Sequence, residues 1–146
     1  MAESKAKLQS VEWTRFLRGI LNKTADASGI LRTVYATIGF ADIIGHFNAE
    51  KNSDGSRWAR LKESTVRSRG QKNPRILRDT GNLRNSFSPT NAKKINRQSV
   101  LVFNNANYSA QHDQGNEEEN LPKREFMYLT DRALEKMAVM ILDRIT

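Results

Sequence analysis

The sequence predicts an α+β fold: one domain with helices near both ends, two strands between them, and long polar loops. Three observations support this prediction. Apolar residues recur at intervals of three and four in the N-terminal third and again near the C-terminus. Short runs of β-branched and aromatic residues lie in between. A length of 146 residues fits a single domain, residues 1–146, in which the charged residues 1–7 are expected to form a flexible tail.

Two amphipathic helices are predicted in the N-terminal third. The first covers residues 8–23 and the second about residues 30–47, with Asp26 or Ser28 placed to cap the second. Gly39 and Gly45 each cost roughly 1 kcal/mol relative to alanine, and a close helix crossing would explain them. We expect both apolar stripes to pack as the core of an antiparallel helix pair. Their positions are Trp13, Phe16, Leu17, Ile20, Leu21, Ile30, Leu31, Val34, Tyr35, Ile38, Ala41 and Ile44.

The middle of the chain is rich in turns and positive charge. Residues 52–55 read Asn-Ser-Asp-Gly and predict a turn. The basic stretch that follows contains Trp58 and Leu61, and a short helix is predicted near residues 61–69. Gly70 and Pro74 predict a loop after it, because glycine ends helices readily and proline disfavours a helical residue before it.

Two strands are predicted at residues 83–92 and 99–104. The second is the clearer one because its residues 100–103 are mostly β-branched or aromatic. Residues 91–98 would connect the strands. Lys93, Lys94 and Arg97 in this connection predict a solvated hairpin tip, or a tip that reaches a partner or DNA.

The C-terminal third predicts one helical turn at residues 108–114 and a final helix at residues 131–145. Glu117, Glu118 and Glu119 lie between them, and because like charges repel, this run is expected to stay mobile or face water. Thr130 or Asp131 supplies the cap of the final helix. The apolar stripe of that helix consists of Leu134, Met137, Ala138, Ile141 and Ile145.

Composition excludes several classes of site. Lys and Arg number 24 against 16 Asp and Glu, so the formal charge of +8 favours an acidic partner such as DNA or a protein, or simply keeps the domain soluble. With no cysteine, disulfides, thiolate metal sites and a cysteine nucleophile are excluded. No segment resembles a signal peptide or approaches the roughly 20 apolar residues of a membrane span. We expect a soluble protein that is not exported by that route.

The residues that usually carry catalysis do not form a recognisable pattern. His46 and His112 are far apart in the sequence and there is no third histidine, so a zinc site would need carboxylates. The glycines are well separated, and neither a phosphate-binding loop nor an activated-serine motif occurs. We therefore expect no catalytic, metal-binding or cofactor-binding residue and no cofactor.

Four separated segments between residues 57 and 129 form an ordered set of motifs. The first joins Arg57-Trp58 to Leu61, Thr65 and Arg69, and the second, residues 76–86, reads Ile-Leu-Arg-Asp-Thr-Gly-Asn-Leu-Arg-Asn-Ser. Residues 107–115 and 122–129 resemble patterns of the form Tyr-Ala-x-x-His-x-x-Gly and Pro-x-Arg-x-Phe-Leu. They depart from them in that Ser109 stands between Tyr108 and Ala110 and that the spacer between the two segments is acidic. In this order the four segments resemble the phage virion morphogenesis family, the tail completion proteins of Mu-like phages.

The resemblance implies a structural protein rather than an enzyme. Its fold would have long N-terminal helices and a C-terminal helix packed on a small antiparallel β-sheet. Such a subunit is expected in a homo-oligomeric ring, commonly a hexamer, in the neck that joins head and tail of the virion, after synthesis in the host cytoplasm. Its partners would be adaptor or connector, tail terminator or tail tube proteins, with possible contact to DNA in the channel and none to membranes.

The motif residues have physical roles compatible with this resemblance. Asp79-Thr80-Gly81 predicts a tight turn that launches the strand near residue 83. Phe126 is expected to anchor in the core, and Arg124 to pair with a carboxylate within or between subunits. The basic tip and the acidic run are the candidate complementary contact loops. The candidate interface or fold-maintaining residues are Trp58, Thr80, Gly81, Leu83, Tyr108, His112, Gly115, Pro122, Arg124 and Phe126.

Two other functions remain open from the sequence. The concentration of arginine and lysine between residues 57 and 84 suits a basic protein that binds double-stranded DNA of a phage or prophage. Alternatively, His112, Asp113 and a nearby glutamate would serve a small hydrolase or nuclease. Salt-dependent binding of duplex DNA supports the first alternative, and metal-dependent cleavage supports the second.

Overall fold

A computed structural model of the chain describes residues 15, 18–20, 22–23, 25–90, 92–97, 99–104 and 106–145. The predicted flexible tail and most of the predicted first helix lie outside these residues. Residues 15 and 18–20, which belong to that predicted helix, are helical. The described residues contain no helix long and apolar enough to cross a bilayer.

The predicted second helix is confirmed, with a change of helical type in its middle. Helix α1 (Ser28–Val34) is followed by a π-helical segment (Tyr35–Gly39) and by α2 (Phe40–Ala49). The N-cap of α1 is Ala27 rather than the predicted Asp26 or Ser28, and no side chain caps the helix; the Asp26 carboxylate, one residue earlier, accepts a hydrogen bond from the Ser28 N–H at 2.9 Å.

A close helix contact explains Gly39 and does not explain Gly45. A Cβ at Gly39 would lie 2.8 Å from Met137 Cε and 3.0 Å from Tyr35 Cδ2, whereas a Cβ at Gly45 would meet no atom within 4 Å. Met137 belongs to the C-terminal helix described below. The absence of a side chain at Gly39 therefore allows the π-helical segment to approach that helix.

The remaining helices are short, apart from the last one. The structure confirms the predicted helices near residues 61–69 and 108–114 and the final helix at residues 131–145. Gly70, with φ +62°, ends the first of these as expected. The elements are α3 (Glu63–Arg69), α4 (Asn82–Asn85), β1 (Ala92–Asn96), β2 (Ser99–Val102), α5 (Ser109–Gln114) and α6 (Asp131–Ile145).

The predicted α+β fold class is wrong. The fold is mostly helical, and the described residues contain no antiparallel sheet larger than two strands on which long helices could pack. The strands of the described residues form one hairpin, β1 paired antiparallel with β2. Two strands alone are marginal as an independent sheet, so packing between helices and loops carries the fold.

The boundaries of the first strand and of the hairpin tip were also predicted wrongly. The chain around Leu83 forms helix α4 instead of a strand, and the strand begins only at Ala92. Lys93 and Lys94 therefore lie in β1, opposite Leu101 and Val100, rather than at the tip. Of the three predicted tip residues, Arg97 lies in the turn and is exposed.

The chain divides into two compact units. Unit 1 comprises the described parts of Met1–Asp42, Pro89–Phe103 and Leu129–Thr146, and unit 2 comprises Ile43–Ser88 and Asn104–Tyr128 without residue 105. The core of unit 1 is formed by Val34, Met137 and Ile141, with Ile30, Leu31, Ile38, Leu129, Leu134 and Met140 packed around it.

Helix α6 is fixed at its start by side-chain hydrogen bonds within unit 1. The Thr130 hydroxyl accepts a hydrogen bond from the Ala133 N–H at 3.2 Å, which confirms Thr130 as a cap. The Asp42 carboxylate accepts hydrogen bonds from the Thr130 N–H and hydroxyl, both at 2.8 Å. The stripe of α1 thus packs against α6, whose first turn is tied to Asp42.

Candidate interaction site

All ten motif residues singled out from the sequence lie in unit 2. They differ in their position within the unit. Trp58, Leu83 and Phe126 are in the core, at 0–3% exposure. Thr80, Tyr108, His112, Pro122 and Arg124 line two cavities, whereas Gly81 and Gly115 shape the turns beside them.

Four aromatic rings form the centre of unit 2. The Phe126 ring lies 5.2 Å from the Phe47 ring and 6.0 Å from the Phe87 ring, between centroids, and Phe47 lies 5.8 Å from Trp58. Phe47 and Phe126 have no exposed surface. Trp58 Nε1 donates to the Glu125 carbonyl at 3.0 Å, which satisfies the indole N–H inside the core.

The turn at residues 79–81 has the predicted geometry, but the element that follows it differs from the prediction. Gly81 has φ +80°, and the Asn82 N–H donates to the Thr80 hydroxyl at 3.3 Å. The turn launches helix α4 rather than a strand, and it places Leu83 in the core at 3% exposure.

Gly115 is required by a close backbone approach. Its φ is +77°, and a Cβ there would lie 2.8 Å from Lys123 N and 3.2 Å from the Leu121 carbonyl oxygen. The next residue, Asn116, pairs with Leu121 through backbone hydrogen bonds of 2.9 and 2.8 Å. The acidic run at residues 117–119 is therefore an ordered, exposed turn.

The segment at residues 122–128 is held by hydrogen bonds from distant parts of the chain. The Asp113 carboxylate accepts from the Phe126 and Met127 N–H groups at 2.8 and 2.9 Å. The Arg124 N–H donates to the His112 carbonyl at 2.9 Å, and the Glu125 N–H donates to Asn52 Oδ1 at 3.0 Å. These bonds fix the path of the Pro-x-Arg-x-Phe motif.

Arg124 is buried and bonds to backbone carbonyls. It is 5% exposed, and its Nε and Nη2 donate to the Ala59 carbonyl at 3.1 and 2.9 Å, with a further bond from Nη2 to the Arg60 carbonyl at 3.3 Å. Burial lowers the pKa of Arg124, and the charge of Arg69 lowers it further. The carboxylate that the sequence predicted as its partner is not found among the described residues of this chain.

Unit 2 contains two adjoining cavities with volumes of about 100 and 270 Å³, and Arg124 lines the larger one. Arg69, Leu77 and His112 line both of them. The smaller cavity also contains Thr80, Gly81, Leu83 and Tyr108, and the larger also contains Arg60, Lys62, Pro122 and Arg124. Four basic residues thus line the larger cavity, together with one acidic residue, Glu119, and several apolar side chains.

His112 sits between the two cavities. Its Nδ1 is buried and has no hydrogen-bond partner in the part of the chain that the structure describes. Burial lowers the pKa of His112 and the nearby Arg124 charge lowers it further, so the ring is neutral near pH 7. The Tyr108 ring meets it edge-on, with centroids 5.8 Å apart.

The other histidine, His46, is a core residue of unit 2. It is 4% exposed, stacks on the Tyr128 ring at 3.7 Å, and donates from Nε2 to the Tyr128 carbonyl at 2.8 Å. No group of three or more histidine, cysteine, aspartate or glutamate residues suited to a metal ion occurs among the residues described.

Part of the basic stretch between residues 57 and 84 is used inside unit 2. Arg75 donates to the Asn48 carbonyl at 3.0 Å and lies 3.4 Å from the Glu50 carboxylate. Arg78 bonds to the Asn48 side chain, and Arg69 donates to the Arg75 carbonyl at 2.9 Å. These arginines tie loops to helix α2 rather than forming a continuous phosphate-binding face.

A sequence model of the phage virion morphogenesis family matches residues 8–146. The chain belongs to this family. The comparisons with curated proteins and with solved structures found no match. Membership makes the chain a phage morphogenesis protein associated with the virion, and the match extends beyond the four motifs into both units.

Several anchors of this phage morphogenesis protein had no signal in the sequence. Asp113 was considered only as a metal ligand or catalytic group, whereas its carboxylate holds the Phe126 segment. Glu125 accepts from the Ser53 N–H at 2.9 Å and from the Ser53 hydroxyl, across 72 positions of sequence. A single sequence offers no periodicity that links residues so far apart.

Glu125 should make the morphogenesis protein sensitive to acid. Hydrogen bonds from Lys123 and Ser53 lower the pKa of Glu125 to about 2, below the value of 4.5 expected for a free glutamate. Its stabilising contribution is therefore complete above about pH 4.5 and is lost as the pH falls towards 2. We expect a loss of about 1–2 kcal/mol in unfolding free energy over this window, allowing for solvent screening.

The measurement is urea unfolding at a series of pH values between 5 and 2.5. The variant Glu125→Gln should show a flatter dependence on pH than the natural chain. Glu117→Gln is the matched control, because it removes the same charge from an exposed side chain. If the unfolding free energy of both variants falls with pH as steeply as that of the natural chain, the hydrogen bonds at Glu125 do not control acid stability.

Proposed function

We propose that this chain is a structural subunit of the phage neck, a tail completion or head-tail connector protein that assembles into a ring joining head and tail. The observation that carries the proposal is the family match over residues 8–146. The gathering of all ten motif residues in unit 2 supports it. Such a protein acts through assembly and shape, without making or breaking bonds.

The surface of the chain suits heterologous contacts. A ring needs two different patches on each subunit, one for each neighbour. The exposed acidic turn at residues 117–119 and the exposed Arg97 in the hairpin turn carry opposite charges, and they are the candidate contact loops. Opposite charges steer subunits together and disfavour wrong partners.

A duplex-DNA-binding protein is the second candidate, favoured by the net charge of +8. Against it, Arg69, Arg75 and Arg78 already bond to groups of their own unit. The hydrolase alternative is weaker, because one oxygen of the Asp113 carboxylate that it would use, Oδ1, already accepts two backbone hydrogen bonds.

The test is assembly with the other neck proteins of the same phage. We expect negative-stain microscopy and mass measurement to show a closed ring. The variant that combines Glu117→Gln, Glu118→Gln and Glu119→Gln should need a protein concentration about tenfold higher or more to assemble. The combined control Glu63→Gln, Glu135→Gln, Asp143→Asn removes as much negative charge from exposed positions elsewhere.

Two results would overturn the proposal. A strictly monomeric protein that is absent from finished virions is incompatible with a ring subunit. Tight binding of duplex DNA by the isolated protein, with affinity falling steeply as salt rises, would favour the second candidate instead.

A further inference from the structure

We infer that the larger cavity of unit 2 binds a glutamate or aspartate side chain delivered by another protein chain. The cavity, about 270 Å³, is lined by four basic residues, Arg60, Lys62, Arg69 and Arg124, and by one acidic residue, Glu119. This inference rests on the proposed function, since it names the group that a neighbour in the virion would supply.

Arg124 is the main argument for an external anion. A buried guanidinium is costly unless its charge is paired, and here its described partners are the carbonyls of Ala59 and Arg60. These bonds use Nε and Nη2. No described residue accepts a hydrogen bond from Nη1. Because Nη1 is not one of the fully buried polar atoms that lack a partner, it keeps some exposed surface. Nη1 therefore remains available to a group that enters the cavity.

Arg69 adds a second incompletely paired cation to the same wall. Its Nε is buried and makes no hydrogen bond, although the Asp79 carboxylate lies 3.5 Å away. That carboxylate is 65% exposed, so solvent weakens its pairing with Arg69. Arg69 and Arg124 thus lie in one cavity wall in which the acidic residue is the exposed Glu119. Two such guanidinium groups are suited to a carboxylate, which accepts several N–H bonds at once.

The shape and the apolar walls distinguish a protein side chain from a nucleic-acid phosphate. Leu61, Leu77, Leu121 and Pro122 line the cavity next to the basic residues. These walls fit the methylene stem of an acidic side chain, whereas the phosphates of a duplex follow a convex backbone and are flanked by sugars.

Peptide binding to the full-length chain tests the inference. The probe is the blocked peptide acetyl-Gly-Glu-Gly-Glu-Gly-amide, with the corresponding Gln peptide, inorganic phosphate and a short DNA duplex as comparison ligands. We expect the Glu peptide to bind the natural chain and the Gln peptide to bind at least about tenfold more weakly. Calorimetric titration or NMR shift mapping supplies the affinities.

The variant is Arg69→Gln, because substitution of the more buried Arg124 would endanger folding. We expect a loss of about tenfold in Glu-peptide affinity. Arg67→Gln is the matched control, since Arg67 lies in the same helix α3, is exposed, and lines neither cavity. This control should change the affinity by less than about twofold.

The outcomes separate the inference from the proposed function. Equal binding of the Glu and Gln peptides, unchanged affinity in Arg69→Gln, or preferential binding of phosphate or duplex DNA overturns the inference. Ring formation is measured separately on the same proteins. If a ring forms but the Glu peptide does not bind, only the carboxylate site is wrong. If the Glu peptide binds but no ring forms, only the ring proposal is wrong.

Discussion

Replacing Phe126 by alanine should lower the free energy of unfolding by about 3–5 kcal/mol. The Phe126 ring has no exposed surface and packs against Phe47 and Phe87 in the centre of unit 2. Its removal takes away buried apolar contacts and leaves a cavity that rings held on several sides cannot fill by small shifts. Chemical denaturation followed by tryptophan fluorescence measures the loss, because Trp58 lies in the same cluster.

The control for this prediction is Met127→Ala. Met127 is the next residue, is 38% exposed, and has its own N–H bonded to the same Asp113 carboxylate. This substitution should cost less than about 1 kcal/mol, since exposed side chains contribute little. Equal losses in the two variants would mean that the buried Phe126 ring contributes no more to stability than an exposed side chain.

Gly115→Ala should destabilise the chain by about 2–5 kcal/mol. Two effects add up at this position. Alanine rarely adopts the φ of +77° that Gly115 has, and its Cβ would overlap the backbone of Lys123 at 2.8 Å. Backbone atoms cannot move aside as the end of a flexible side chain can. The midpoint of urea unfolding measures the loss.

Gly55→Ala separates these two effects. Gly55 also has a positive φ, +85°, but a Cβ there would meet no atom within 4 Å. This control should show the conformational cost alone, about 1 kcal/mol. If Gly115→Ala is no more destabilising than Gly55→Ala, the Lys123 segment does not press against Gly115 in solution.

The sequence predicted the elements whose pattern is regular and local. Helix α6 follows from the apolar stripe through Met137 and Ile141 and from the cap at Thr130. Gly70 and Gly81 were recognised as turn positions because positive φ favours glycine, and both have it. Local chemistry of this kind does not depend on the rest of the molecule.

The errors arose where distant contacts decide the structure. The residues after Gly81 were predicted as a strand, because a short apolar run fits either a strand or a buried helical turn. Leu83 reaches the core from helix α4 instead. For Arg124 a carboxylate within or between subunits was predicted, and that prediction stays open for a neighbouring subunit. The carbonyl acceptors that Arg124 has within this chain, such as that of Ala59, had no signature in the sequence, because a carbonyl occurs at every residue.

The same distant contacts explain why the sequence identified the motif residues but not how they are arranged in space. The cavities depend on helix α3, the turn at Gly81 and the segment after Pro122, which are separated by long intervals. A resemblance to a family identifies such residues one motif at a time. Which of them face a cavity and which face the core is decided only when the segments pack together.

The discontinuous composition of unit 2 has a consequence for synthesis on the ribosome. Trp58, Ala59 and Asn52 bond to Arg124 and Glu125, which follow them by 65 to 73 positions. Phe47 likewise packs against the Phe126 ring, which is synthesised much later. Until residues 104–128 leave the exit tunnel, the residues that bury the Trp58 and Phe47 side chains are missing. A prematurely terminated chain should therefore aggregate or be degraded rather than persist as a half-built subunit.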